Sequence, residues 1–332
     1  MKKLHLIVPD LLLPKQFATE VSADLALPYL QKLLARADRA SLPAQSMESA
    51  LCSAFSLAVQ HDLPIAPISA AYDGLPAGCW IRADPVHLRL QRDQMLLSQT
   101  TISEVEAAQF CAALNAYFMG QGMTFFAPHP QRWYVQLESV PAIQTTPLSE
   151  VIGGNVRGAL PRGREGQHWH QLFNEMQMLL YSHSLNEARE ARGELPVNSL
   201  WLWGGGATVE MQAGYTSVRS DDSLSAMFAA AAGVQHQPLA QLNFDAAGES
   251  LMVYSALRTA LQVGDLHLWR EALLKFEADI ALPVWQALRN GALDSLELDI
   301  LAAENSHRLV LRQAQTWRFW RPAKRLASYS LV

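Results

Sequence analysis

Apolar positions along this chain switch between two periods, and the switches outline its elements. Leu4 to Val8 is a short, continuous apolar run closed by Pro9-Asp10, which predicts a buried strand. Leu27, Leu30, Leu34 and Ala37 recur at three- and four-residue spacing and predict a helix with Pro28 in its first turn. Ser46 stands at an N-cap position ahead of Ala50, Leu51, Ala54, Phe55 and Ala58. Ser103-Glu104-Val105-Glu106 reads as a capping box, opening a helix that turns Ala107, Phe110, Leu114 and Tyr117 inward. Met123 to Ala127 and Trp133 to Leu137 read as strands, whereas 63–78 is rich in Pro, Ala and Gly and reads as a connection.

The middle of the chain is the most strongly patterned part. Trp169, Leu172, Phe173, Met176, Leu179 and Leu180 share one helix face. A second helical run, Asn186 to Arg192, stops at Gly193 with Pro196 just beyond. Val197 to Trp203 predicts a buried strand, and Gly204-Gly205-Gly206 predicts a loop free to take positive φ or to lie close against a ligand. Further on, Asp222 or Ser223 caps a helix through Leu224, Met227, Phe228 and Ala231. Pro238 to Phe244 predicts a strand ending at Asp245, and Leu268, Trp269, Ala272, Leu273 and Phe276 line another helix. A helical turn from Pro283 stops at Gly291, and a strand through Leu296, Leu298 and Ile300 ends at Glu304-Asn305.

Strands alternating with helices predict an α/β protein with a mainly parallel sheet flanked by helices. The texture changes near residue 80 and again near 195. That predicts a core of 1–78 with 195–332, an inserted smaller α/β lobe at 79–165, and a helical return connection at 166–194.

Composition narrows the function classes. Half of the 332 residues are hydrophobic and 17% are charged, enough for a sizeable core. A net charge of −5 argues against a nucleic-acid surface, and no apolar run is long enough to span a membrane. His5, Pro9, Asp10 and Pro14 interrupt the apolar N-terminus, so a first strand is a better reading than a signal peptide. Three cysteines without CxxC spacing indicate neither a disulfide frame nor a zinc site, and a cytoplasmic setting is expected.

The segment SHSLNEAREARGELPVNSLWLWGGG carries a resemblance. His183, Asn186, Arg189, Gly193, Pro196, Asn198, Trp203, Gly204 and Gly206 match a segment of archaeal-type cofactor-independent phosphoglycerate mutases, members of the alkaline-phosphatase superfamily. WIRADPVHLRLQRD (80–93), APHPQRWYVQL (127–137) and the stretch 174–206 resemble the bacterial RpfE-type regulatory proteins more closely still. The resemblance implies an alkaline-phosphatase-like core and, in working relatives, a two-metal phosphoryl-transfer site.

Ligands of open α/β sheets collect at the carboxyl ends of strands, where Asp10, Asp245 and Glu304 fall and could hold a hard cation such as Mg²⁺ or Mn²⁺. The resemblance implies the same places, with Asp10 as the strand-end metal ligand, Ser46 as the nucleophile, and Asp245 with Gly248 as a further ligand segment. The pattern then fails: Glu249 stands where the family has histidine, Glu304-Asn305 where it has Asp-His, and no histidine follows His307. A degenerate metal site of Asp10, Asp245, Glu249 and Glu304 is therefore expected, without cofactor, or with Mg or Mn if the chain is an active enzyme. Arg82, Asp84, His87 and Arg89 could grip a phosphate or carboxylate, or form an internal salt-bridge network. Asn186 and Arg189 could line a cleft or cap the turn between two helices. The expected function is that of a degenerate mutase-like protein with a regulatory or ligand-binding role, the alternative being an active mutase or phosphohydrolase. Expected partners are a small phosphorylated or anionic ligand, or a protein met by the tail around Trp317, Phe319 and Trp320; neither nucleic acid nor membrane is expected.

Overall fold

A computed structural model describes residues 2–212, 214–239, 242, 244, 247–302 and 304–330. The chain divides into two compact units, Met1–Phe55 with Gln212–Val332, and Ser56–Met211.

In the first unit the Lys2–Pro9 strand is central to a seven-stranded sheet. The spatial order is His236–Pro238, Ser217–Ser220, Gly248–Val253, Lys2–Pro9, Ser295–Leu301, Asn305–Arg312 and Asp38–Pro43. The first five strands run parallel, Asn305–Arg312 runs opposite to them, and Asp38–Pro43 pairs antiparallel with it and so returns to the common direction. Alternation sends Leu4, Leu6 and Val8 to one face, with Leu296, Leu298, Ile300, Leu309 and Leu311 beside them. Helices Pro28–Arg36, Leu266–Phe276 and Leu282–Asn290 close over that layer. The opposite face carries His5, whose Nδ1 lies 2.9 Å from the Tyr215 hydroxyl. There Phe55, ending helix Met47–Ala54, packs 5.6 Å from the Tyr215 ring and 5.5 Å from Phe228 of helix Ser223–Ala231. This is an α/β layering with a mostly parallel sheet, as the periodicity predicts.

One helix end is completed from far away in the chain. Pro28–Arg36 starts after Leu27, which offers no side-chain cap. The Glu277 carboxylate instead accepts the amides of Tyr29 at 2.7 Å and Leu30 at 2.8 Å, satisfying donors that a helix start leaves open.

The second unit is built on the thirteen-residue strand Cys79–Gln91, which runs straight through Pro85. It pairs antiparallel with Arg132–Leu137, Gln94–Gln99 and Ser199–Ala207, and Met123–His129 extends the sheet beyond Arg132–Leu137. Helices Ile65–Tyr72, Glu104–Tyr117, Gly166–Tyr181 and Ser184–Ala191 belong to this unit.

Three expectations need correction. Residues 56–78 and 166–211 lie in the second unit, so it is larger than 79–165; the Ser199–Ala207 run joins the Cys79–Gln91 strand rather than the first sheet. An apolar run is compatible with either sheet, and hydrogen-bond pairing alone selects one. Residues 204–206 continue that strand instead of forming a loop. Gly204 has φ +68°, and a Cβ there would stand 2.9 Å from Ile65 Cβ; at Gly206 it would stand 2.8 Å from Pro64 Cβ. The glycines let helix Ile65–Tyr72 lie directly on the strand. The strand expected over 238–244 falls partly outside the described residues; the sheet's described strands on either side are His236–Pro238 and Gly248–Val253, and Leu239, Leu242 and Phe244 pack against the core. The connection at 63–78 contains helix Ile65–Tyr72, whose Pro67 lies within its first turn. No helix among the described residues is long and apolar enough to cross a membrane.

Candidate functional site

The carboxyl edge of the first unit's sheet gathers its chemistry-bearing side chains. Ser220, Val253 and Ile7 are in register, and Pro9 is level with Leu301, so the residues that follow each strand emerge along one edge. Asp10 leaves its strand in a left-handed conformation, φ +57°. Few residues adopt that region, and Asp is among those that tolerate it. Its N–H donates to the Leu301 carbonyl (2.9 Å), and its own carbonyl accepts Trp269 Nε1–H (3.0 Å). Its Oδ2 accepts from Arg258 Nε at 2.8 Å, an ion pair whose side chains are 23% and 13% exposed.

Asp221 and Asp222 follow the Ser217–Ser220 strand. The two Asp221 oxygens accept the amides of Ser255 (2.7 Å) and Ala256 (3.0 Å). Asp222 caps helix Ser223–Ala231 through the Ser225 amide and hydroxyl, both at 2.7 Å. Burial pushes the Asp222 carboxyl above the usual carboxylate range against those bonds, and repulsion from Asp221 and Glu48 adds to the rise. Glu48 is buried in the first turn of Met47–Ala54. Ser46 is the N-cap of that helix, its Oγ accepting the Ser49 amide at 3.0 Å. Periodicity flags Asp222 only as a cap and gives no signal for Glu48, Asp221 or Arg258 as members of one edge.

Of the four carboxylates expected to share one point, the three described do not assemble. Asp10 and Glu304 are both at the carboxyl edge, Glu304 exposed in the bend after Ser295–Leu301. Glu249 is in register with Lys3 and 4.0 Å from its Nζ, at the amino end of the sheet. At ~3.3 Å per residue, seven residues from Lys3 to Asp10 separate it from Asp10 by about 23 Å. Asp245 lies outside the described residues. A divalent ion of the Mg²⁺ or Mn²⁺ type needs several oxygens converging on it. Here Arg258 engages Asp10, helix amides take both Asp221 oxygens, and Asp222 is taken up by the Ser225 amide and hydroxyl. The described part of this edge does not fit a two-metal centre.

Among the described residues, one trio of possible ligand atoms does lie within 4.8 Å: His5, Glu297 and Asp299. Arg308 occupies it, reaching Asp299 through two bonds of 2.7 Å and Glu297 at 2.9 Å. Burial opposes ionisation of Asp299, yet its bonds to Arg308 and His5 outweigh it and hold the carboxyl low. The cation there is the protein's own guanidinium.

In the second unit Arg82 and Asp84 are engaged with each other, and the other expected anion-binding residues have separate partners. Arg82 grips Asp84 through Nε (3.1 Å) and a terminal nitrogen (2.6 and 2.9 Å), and Trp203 Nε1–H donates to Asp84 at 2.7 Å. The Arg82 guanidinium lies between the rings of Tyr134 and Trp203, about equally close to both at 5.2 and 5.1 Å. His87 Nδ1 is 3.0 Å from the Pro196 carbonyl, and Arg89 is exposed beside Gln91. Asn186 ties the Leu180 and Val197 carbonyls and the Val197 amide together, stapling the turn between helix and strand. Arg189, 1% exposed, bonds the Leu195 and Thr101 carbonyls and Glu106. Arg82 and Asp84 thus form a salt bridge, Asn186 ties down the turn after Leu180, and Arg189 is held by two carbonyls and Glu106. The sequence reading also missed Asp62, which accepts the Leu63 amide (2.9 Å), the Thr145 hydroxyl and the Gly205 amide (3.3 Å) beside the glycine run.

Comparison with known proteins places this architecture. No family model matches the chain. A stretch of 114 residues is 30% identical to 2,3-bisphosphoglycerate-independent phosphoglycerate mutase 2 of Methanothermobacter thermautotrophicus, covering 33% of this chain and 28% of that protein. Another, of 152 residues, is 24% identical to a probable 2,3-bisphosphoglycerate-independent phosphoglycerate mutase of Geobacter sulfurreducens, covering 44% of this chain and 38% of the relative. The matches thus span well under half of these relatives. The cofactor-independent phosphoglycerate mutase from Thermoplasma acidophilum superimposes with a TM-score of 0.51 at 13% identity, over 99% of this chain and 95% of that one. A protein from Pyrococcus horikoshii does so with 0.58 at 13%, over 99% and 92%. The chain therefore has the fold of the cofactor-independent phosphoglycerate mutases, and its homologues, at low identity, are the archaeal-type members of that group.

Proposed function

We propose that this chain is a catalytically degenerate, phosphoglycerate-mutase-like protein with a regulatory or ligand-binding role, as its likeness to the RpfE-type proteins implies. The observation that carries this reading is the Asp10–Arg258 pair. The strand-end carboxylate that the resemblance assigns to a metal has a guanidinium of the same chain as its cation. Two further placements support it: Ser46 Oγ is engaged as a helix cap, and Glu249 stands at the opposite end of the sheet. The ligand expected is a small phosphorylated or other anionic molecule, with no metal cofactor. In an assay of 3- and 2-phosphoglycerate interconversion with Mn²⁺, turnover should be absent or at least ~10³-fold below that of a working mutase, since ~4 kcal/mol of lost transition-state stabilisation suffices. Efficient turnover abolished by Ser46→Ala would overturn the proposal.

One observation favours the alternative, an active mutase or phosphohydrolase using Mg or Mn. Asp10 sits in a strained, left-handed conformation, and such strain concentrates at functional sites. Under that reading Arg258 would swing aside when metal binds, and the metal titration below separates the two.

A further inference from the structure

The end of the chain segregates charge. From Asn305 onward it holds Arg308, Arg312, Arg318, Arg321, Lys324 and Arg325 and neither Asp nor Glu, in a protein whose net charge is −5. Within that stretch Trp317, Phe319 and Trp320 are 60%, 80% and 65% exposed. Side chains of the same segment tie it to residues 36–38. Arg318 donates to the Arg36 carbonyl (3.1 Å), Arg321 to the Ala37 carbonyl (3.0 Å), and Gln315 to Asp38 (2.6 Å). Phe319 meets Trp320 edge-on at 5.2 Å, and the Arg289 guanidinium stacks 3.9 Å over Trp317. Three large aromatics held in the open on an anchored segment form an apolar patch of the kind that marks an interaction site.

We propose that this face docks on an anionic lipid surface, with Phe319 and Trp320 entering the headgroup boundary and the surrounding cations lying against lipid phosphates. Aromatic rings interleaved with Arg and Lys are the composition of segments that lie on a membrane interface, which accepts rings without demanding a matching pocket. Asp38 pairs with Arg318 and Arg321, while Lys324 and Arg325 are exposed. A basic face on a net-negative chain is attracted to anionic lipid while the rest of the molecule is repelled, so the charge distribution also sets the orientation. This is peripheral docking by exposed side chains, a departure from the expectation of no membrane partner, and it needs no helix long and apolar enough to cross a membrane.

The test is co-sedimentation of the full chain with vesicles of phosphatidylcholine, with or without phosphatidylglycerol, at low and high salt. Binding to the phosphatidylglycerol vesicles at low salt, weakened by high salt and by Lys324→Glu/Arg325→Glu, is expected. Phe319→Ala/Trp320→Ala, which leaves the Trp317–Arg289 stack in place, should weaken binding about tenfold or more without changing the melting temperature. Failure to bind phosphatidylglycerol vesicles at low salt would overturn the proposal, as would unchanged binding by the aromatic double variant. Binding to soluble polyglutamate but not to the vesicles would also overturn it and point to an acidic protein partner.

Discussion

Arg258 Nε stands 2.8 Å from Asp10 Oδ2, so the helix after one parallel strand neutralises the carboxylate that ends the neighbouring strand. The pair joins residues 248 positions apart, and it decides whether the sheet edge presents a free anion or an internally balanced one.

A metal titration follows from it directly. Millimolar Mg²⁺ or Mn²⁺ should leave the melting temperature of the wild-type chain nearly unchanged, whereas a ligand at 100 times its Kd would add ~2.7 kcal/mol. Arg258→Met should cost roughly 1–3 kcal/mol, because it strands a mostly buried carboxylate. Part of that loss should return with Mn²⁺. A rise of several degrees in the wild type, absent in Asp10→Asn, would favour the enzyme reading.

Asp84→Asn tests the second unit's ion pair. The carboxylate is 1% exposed and accepts from Arg82 and Trp203, so its neutralisation leaves a buried guanidinium without its counter-charge. Denaturant unfolding should show a loss of about 3 kcal/mol. A change in ligand binding with no change in stability would restore Arg82 as a binding residue.

Glu106 gives a pH signature. Burial opposes its ionisation, yet bonds from the Ser103 amide and hydroxyl and from Arg192, with the charge of Arg189, bring its pKa down to about 2. A carboxyl whose folded pKa lies below its unfolded value of ~4.3 stabilises the fold above that unfolded value. The contribution is lost as pH falls from there through about 2. The acid limb of the stability curve should therefore flatten in Glu106→Gln, measured by urea unfolding at successive pH values; an unaltered limb would remove Glu106 from the account.

The glycine run offers a steric test. Gly206→Ala should cost ~1–3 kcal/mol, because its Cβ would press on Pro64 in a packed layer. Gly204→Ala should cost more, adding a left-handed backbone to a clash with Ile65. Alanine variants as stable as the wild type would mean that helix Ile65–Tyr72 does not pack as closely as the geometry requires.

Local signals were legible wherever partners are close in sequence. Ser103 and Glu106 form the expected capping box, Pro28 opens its helix, and Gly291 ends one at φ +79°. Each depends on backbone groups within about one turn. Strands without apolar alternation were missed. Asp38–Pro43 is an exposed edge strand, and Ser217–Ser220 has only four residues. The candidate site was half legible: Asp10 is at the predicted strand end, but nothing near it in sequence announces Arg258.

The sequence by itself determined the α/β layering, because burial period follows from side-chain spacing, and it separated cations from acids along the tail. Tertiary structure decided which sheet Ser199–Ala207 joins, which end of a strand Glu249 occupies, and which cation meets Asp10. Those outcomes depend on hydrogen-bond register and on approach between distant segments. Periodicity carries no information about either, since a one-dimensional pattern specifies what is buried and not what it is buried against.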